Sequence, residues 1–282
     1  MPVVEISRLS ARGRPVAVPR YVAFQDLPLA GQRLRLSPDK WDRFLNRYQA
    51  ELVGIYDAWA TETQRLMTRA ATSGATSMQV QAILTARSQD LQAHLTVLGR
   101  ARIAQAGGMG LGRRMAARLE SPGVRLAIAK LQASNDLFLS SSLIPDMVSR
   151  LSGLTVQGLD ASVLGTQLED AFVTLRPRVA GYSGGATVAI FETQKTAGSE
   201  WNQERQSRGE GPIPIRWVLD PMAEHCEDDP KRGTHGCPNL AGVYLGGWDE
   251  LPTVPAGHVS CLGNCRCRLE LSLDGGRTWE RP

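Results

Sequence analysis

The residues best suited to chemistry are five cysteines, and all of them fall in the last fifth of the 282-residue sequence: Cys226, Cys237, Cys261, Cys265 and Cys267. His258 stands among them in the run "HVSCLGNCRC" at 258–267. Thiolate sulfur and imidazole nitrogen are the ligands that zinc takes in a tetrahedral site, and a structural site uses four of them. Six candidates are present. Cys265 and Cys267, two apart on a strand, share one face. The favoured set is Cys226, Cys237, Cys265 and Cys267, with His258 or Cys261 able to replace one. A disulfide or buried free thiols are the alternatives, because the spacings are not a paired C-x2-C pattern.

Catalytic readings are weaker, and no catalytic residue is assigned. The run "EHCEDD" at 224–229 sets Glu224, His225, Asp228 and Asp229 beside Cys226. A Cys–His pair is a possible nucleophile, and zinc with a nearby Glu hydrolyses bonds. No H-E-x-x-H and no nucleophile elbow accompanies it, so an acidic turn beside a structural thiol is the plainer reading. His94 on a helix and His235 in a glycine-flanked loop read as packing or surface residues. The stretch "AGGMGLGRR" at 106–114 lacks both a preceding strand and a G-K-[ST] ending, so it reads as a flexible inter-helix linker and not as a phosphate loop.

Composition bounds the rest. Hydrophobic residues make up 42% and charged residues 21%, the balance of an ordinary globular chain. No apolar run is long enough to span a bilayer. The first 20 residues have no apolar core of a secretory signal, which points to a chain made in the cytosol with reduced thiols. Net charge is +4 but uneven. Residues 1–40 carry seven Lys/Arg against three Asp/Glu and residues 100–130 carry seven against one, whereas residues 201–282 carry nine against twelve. The first two segments could bind nucleic acid or an acidic partner, or form solvated arginine-rich faces; the tail is ill suited to DNA.

The elements that must position these residues divide into three parts. Residues 1–36, rich in Pro and Gly, read as an extended basic arm. Residues 37–209 read as a helical body. Ser37 is a candidate N-cap and Pro38 suits the first helical position. An apolar seam then follows at Trp41, Leu45, Tyr48, Leu52, Ile55, Trp59 and Leu66. "TSGATS" at 72–77 ends this helix, and a second one over 77–105 completes an antiparallel hairpin. Further helices are interrupted at Pro122 and Pro145. Residues 210–282 read as a small β-rich Cys/His module, with "IRWVL" as a strand and "CRCRLELSLDGGRTWERP" as a hairpin. The fold class is α+β: a mainly helical body with long helices, then the β-rich module. With few large apolar side chains, that module invites a zinc staple, worth about 10–16 kcal/mol of apparent binding free energy.

The order of motifs over residues 155–272 resembles the C-terminal region of the phage Mu F-like head-morphogenesis proteins, the minor capsid proteins. A helix holds Glu192 and Asn202. Trp217, Asp220, Cys226 and Cys237 follow, then Gly242 and Tyr244, Pro255 and His258, and Cys265-Arg266-Cys267. The chain departs from the family pattern in three places. The Arg before the Thr-Glu pair is missing and "FETQ" has Glu before Thr, the two upstream cysteines are well separated, and an insertion divides "HVSC" from "CRC". The resemblance implies a non-enzymatic structural protein of the virion head. It implies portal and major capsid proteins as partners during procapsid assembly, several copies per particle, and, as in some members of the family, assistance in DNA packaging or ejection. A zinc-dependent enzyme and a zinc-dependent nucleic-acid-binding module are the alternatives.

Overall fold

The computed structural model describes residues 40–155, 160–220, 227–229, 231, 233–257 and 267–282. The arm at 1–36 and the caps Ser37 and Pro38 lie outside these. Helix α1 spans Lys40–Thr72, α2 Ser77–Gly110, α3 Pro122–Phe138, α4 Ile144–Thr155, α5 Ala161–Gly181 and α6 Gly184–Ser207. Strand β1 (Ile215–Val218), the one-turn helix α7 (Cys237–Leu240), β2 (Gly242–Tyr244) and β3 (Arg268–Leu271) follow. The fold is α+β, long helices and then a small antiparallel sheet of order β2-β1-β3. No helix among the described residues is long and apolar enough to cross a membrane.

The chain divides into two compact units. One takes residues up to 100 together with 135–183; the other takes 101–134 and 184–282. The β-rich residues after 210 therefore share a unit with α6 and with the segment following Arg100.

In the first unit α1 lies antiparallel to α5, as the order of its contacts shows. Gln49 Nε2 donates to Ser183 Oγ at 3.1 Å, the Tyr56 hydroxyl to the Phe172 carbonyl at 2.9 Å, and Gln64 Nε2 to the Gly165 carbonyl at 2.9 Å. Between them Arg176 pairs with Asp57 at 3.0 Å. Trp59 and Phe172 meet edge to face at 5.5 Å, and the Trp59 indole donates to the Arg87 carbonyl on α2.

The buried stripe of α1 is Leu45, Tyr48, Leu52, Tyr56, Trp59, Thr63 and Met67, while Trp41, Ile55 and Leu66 are half-exposed. A seven-residue seam suits 3.5 residues per turn. A straight helix has 3.6, so the buried face drifts by about 20° per heptad and moves one residue along.

The junction of α1 and α2 is written in side chains. Gly74, at φ +77°, sits where the chain needs a left-handed residue; Ala75 N–H donates back to Ala70 O and Gly74 N–H to Ala71 O. Thr76 then opens α2 with a reciprocal cap: Gln79 N–H donates to Thr76 Oγ1 at 3.3 Å, and Thr76 N–H donates to Gln79 Oε1 at 2.8 Å.

Three expectations are corrected. The glycine stretch from 106 is not a linker, because α2 continues to Gly110 with Ala106, Gly107 and Gly110 buried. Pro122 does open a new helix, but Pro145 does not interrupt one. A π-turn at Leu139–Leu143, closed by Ile144 N–H donating to Leu139 O, carries the helix past it. A widened turn just upstream relieves the clash between a proline ring and the carbonyl four residues earlier. The C-terminal hairpin is reduced to one strand and one bridge, Leu271 with Glu280. Its turn is governed by Asp274, which accepts from Ser272 Oγ, Arg277 N–H and Thr278 N–H, and the residues so bent cannot pair as a strand.

Thr76→Ala removes the reciprocal cap from an otherwise exposed turn. Urea unfolding should show the full chain destabilised by about 1 kcal/mol. An unchanged midpoint would mean that tertiary packing alone starts α2.

Candidate functional site

Of the sequence-predicted residues in the second unit, Glu192 and Asn202 lie on helix α6, whose burial requires explanation. Phe191, Ala197 and Gly198 are buried, and so are the polar Thr193, Gln194 and Asn202. Buried polar groups need partners. Thr193 Oγ1 lies 3.0 Å from Gly107 O, and Gln194 Nε2 donates to Gly110 O at 2.8 Å. The second of these is an end carbonyl of α2, where an α-helix leaves acceptors without an intrahelical donor. The approach is close enough to demand glycine: a Cβ at Gly110 would lie 2.3 Å from Ile190 O.

Two turns further, Asn202 holds the β module. Its Oδ1 accepts from Ile213 N–H at 3.0 Å, just before β1, and its Nδ2 faces Gly246 O at 3.4 Å, just after β2. Gly198 lies under Trp248, and a Cβ there would meet the indole at 2.3 Å. Lys195 Nζ donates to Leu251 O at 2.8 Å. Glu192, beside Lys195, has its carboxyl pushed above the ordinary range by burial, an effect that Lys195 partly offsets. The sequence reading named Glu192 and Asn202 but missed Thr193, Gln194, Gly198 and Trp248. For Thr193, Gln194 and Gly198 the signal was the density of small and polar residues in "TQKTAGSEWN", where an ordinary surface helix alternates apolar and charged ones; nothing in the sequence marked Trp248.

Of the six zinc candidates, Cys226, His258, Cys261 and Cys265 lie outside the described residues. Cys237 and Cys267 are described and buried, and no disulfide joins them to each other. Among the described residues no group of three His, Cys, Asp or Glu is placed to hold a metal. The topology nonetheless relates the two thiols. Trp217 stands opposite Gly242 on one side and Leu269 on the other, so the exit of β1 and the entries to β2 and β3 share one end of the sheet. Cys237 precedes β2 and Cys267 immediately precedes β3. Both thiols belong to chain segments that enter the sheet at that end.

Of the acidic run, Glu224, His225 and Cys226 lie outside the described residues. Asp228 and Asp229 do framework work. Asp228 accepts from Gly236 N–H at 2.6 Å and from Asn239 Nδ2 at 2.9 Å, and these bonds hold its carboxyl below the ordinary range. Asp229 exchanges both backbone bonds with Thr234. His235 is exposed, and so is His94, whose Nδ1 contacts Asp90 O. Trp217 is buried, Pro255 is buried, Asp220 is half-buried, and Tyr244 donates its hydroxyl to Leu240 O at 2.7 Å.

The outer face of the sheet carries an ion-pair ladder. Glu270 accepts from Arg216 Nε at 2.7 Å and from Arg268 Nε at 2.8 Å. Burial raises its carboxyl, but the two guanidinium hydrogen bonds outweigh this and hold it below the ordinary range. Two open clefts occur among the described residues. One of about 560 Å³ is lined by Gln64, Arg65 and Arg69, and one of about 810 Å³ by Arg118, Glu200 and Glu204. Neither is lined by a zinc candidate or by one of the motif residues that carry the resemblance.

Compared with family models, with curated proteins and with solved structures, the chain has no match.

Asn202→Ala leaves the buried Ile213 N–H without its acceptor and should cost about 2–3 kcal/mol in chemical unfolding. Gly198→Ala drives a methyl into Trp248 and should cost about 1–3 kcal/mol. Because the Glu270 pKa is depressed in the folded chain, its stabilisation is present above the unfolded value near about 4.3 and fades as pH falls through the folded value. Glu270→Gln should therefore flatten the loss of stability below that pH, measured as urea midpoint against pH. An unchanged profile would remove Glu270 from the acid response.

Proposed function

We propose that the protein is a bacteriophage minor head protein, made in the bacterial cytoplasm and built into the virion. It binds portal and major capsid subunits during procapsid assembly. The observation that carries this reading is the ordered series from Glu192 through Asn202, Trp217, Cys237, Gly242 and Tyr244 to Cys267. The described members Asn202, Trp217, Cys237 and Cys267 serve as framework: they are buried, and none of them lines either cleft described above. Residues spent on architecture fit a structural component better than an enzyme. The arginine-rich segments at 1–40 and 100–130 supply non-specific, salt-dependent contact with packaged DNA.

Zinc, when bound, is structural in this reading. Its ligands come from Cys226, Cys237, His258, Cys261, Cys265 and Cys267. Cys237 and Cys267 are buried, which shields ligands that must stay reduced. The metal cross-links the chain segments that enter the sheet at one end.

Pull-down of the tagged full chain from phage-producing cells, followed by mass spectrometry, should recover portal and capsid subunits. Zinc measured on the same reduced sample should be near one equivalent, and Cys237→Ser or Cys267→Ser should lower it. A monomer free of virion proteins would overturn the head-protein reading and favour the enzyme or nucleic-acid-binding alternative. Zinc below about a tenth of an equivalent would remove the metal, given the tight binding of structural sites.

A further inference from the structure

The two buried thiols at one end of the sheet are held in different ways. Cys267 directly precedes β3, whose Arg268 is paired with Val218 of β1, so the ladder itself places it. Cys237 opens α7, and the rest of that helix together with Ala241 separates it from β2. A helix of one turn has no stability of its own, because fixing its backbone costs more than its first hydrogen bond returns. The position of Cys237 must therefore be set from outside α7.

A single carboxylate does this. Asp228 Oδ1 accepts from Gly236 N–H at 2.6 Å, and its Oδ2 accepts from Asn239 Nδ2 at 2.9 Å. Gly236 immediately precedes Cys237 and Asn239 follows it by two, so one side chain grips the turn on both sides of the thiol. Asn239 N–H also donates to Gly236 O at 3.1 Å and closes the turn. Asp228 is anchored in its own place. Its neighbour Asp229 exchanges backbone bonds of 2.9 and 3.2 Å with Thr234, and Asp229 Oδ1 accepts from Lys231 N–H at 3.1 Å. The far end of α7 is tied by the Tyr244 hydroxyl, which donates to Leu240 O. Asp228 and Asn239 are exposed, whereas Cys237 is only 2% exposed. Exposed hydrogen bonds replace bonds to water and add little to stability. What this pair supplies is geometry at the one buried thiol between its two contacts.

We propose that Asp228 is a positioning residue for Cys237: its carboxylate sets the turn that presents the thiol to a metal at the end of the sheet where Cys267 also lies. The proposal rests on the structural-zinc reading above. Metal ligands are oriented by hydrogen bonds one layer out, and losing such a partner lowers metal affinity about 10–100-fold. Asp228 acts in this way, through the backbone that carries Cys237.

The test loads the reduced full chain with zinc and withdraws the metal with a chromogenic chelator. Asp228→Ala should lower zinc affinity about tenfold or more. Asp228→Asn keeps an acceptor for Gly236 but sets one amide NH2 against another at Asn239, so its affinity should fall between those of Asp228→Ala and wild type. Asp228→Asn combined with Asn239→Asp exchanges donor and acceptor, remakes both bonds and should restore the wild-type affinity. In metal-free protein, brief alkylation followed by peptide mass spectrometry should find Cys237 modified faster in Asp228→Ala than in wild type, with Cys267 unchanged. Because Asp228 is exposed, the urea midpoint of metal-free Asp228→Ala should stay near that of wild type. Wild-type protein that binds no zinc would overturn the zinc reading, and the ligand role of Cys237 with it. Zinc held equally well by wild type and Asp228→Ala would overturn the role of Asp228 and leave the zinc reading standing. So would an exchanged pair no better than Asp228→Asn alone, or alkylation of Cys237 indifferent to Asp228→Ala.

Discussion

The second compact unit depends on one constraint: α6 is buried while carrying polar side chains, and each of these must find a partner. A buried amide or hydroxyl left alone costs about 1–3 kcal/mol, so such a helix is tolerable only in a matched environment. The match is specific. Gly107 and Gly110 supply carbonyls to Thr193 and Gln194, and the entry to β1 supplies an N–H to Asn202. Hydrophobic burial alone would let these segments slide. The polar contacts set their register, because a shift of one residue on α6 would turn every one of these side chains away from its partner. The glycines follow from the same constraint, since carbonyls brought to hydrogen-bond distance of a neighbouring helix leave no space for a Cβ at Gly110.

Parts of this were legible in the sequence. Long amphipathic helices announce themselves through period and caps, and "TSGATS" marks a real junction because Gly74 and Thr76 do chemistry that few other residues do there. The strand "IRWV" was equally plain. The errors have physical causes. Glycine read as a linker because its local propensity favours disorder, yet in α2 its small size is what packing uses. A turn rich in Asp, Gly and Thr read as a hairpin, although Asp274 bends it too tightly for a second strand. The partners of Thr193 and Gln194 could not be assigned from one sequence, because they lie more than eighty residues upstream. For the metal candidates, spacing brought out the residue types but could not show that Cys237 and Cys267 serve the same end of the sheet. That follows only from the antiparallel pairing of β1 with both neighbours.

The thiols also acquire a different rationale. A small β module short of apolar side chains seemed to need a staple in place of a core. Yet Trp217, Trp248, Leu251, Val254, Leu269 and Leu271 are all buried, and α6 provides the surface against which the module is fastened through Asn202, Lys195 and Gly198. The module borrows its core, and the staple has a narrower task. Three strands of three or four residues hold together only when packed on something else. The contacts made by Asn202 fasten the start of β1 and the end of β2, which lie together because the strands run antiparallel. The opposite end, where β1 exits and β2 and β3 begin, receives none of these bonds from α6. Long connections open there, and closing a loop costs more entropy as it lengthens. A cross-link contributes most where the chain has furthest to return, and that is the end to which Cys237 and Cys267 belong.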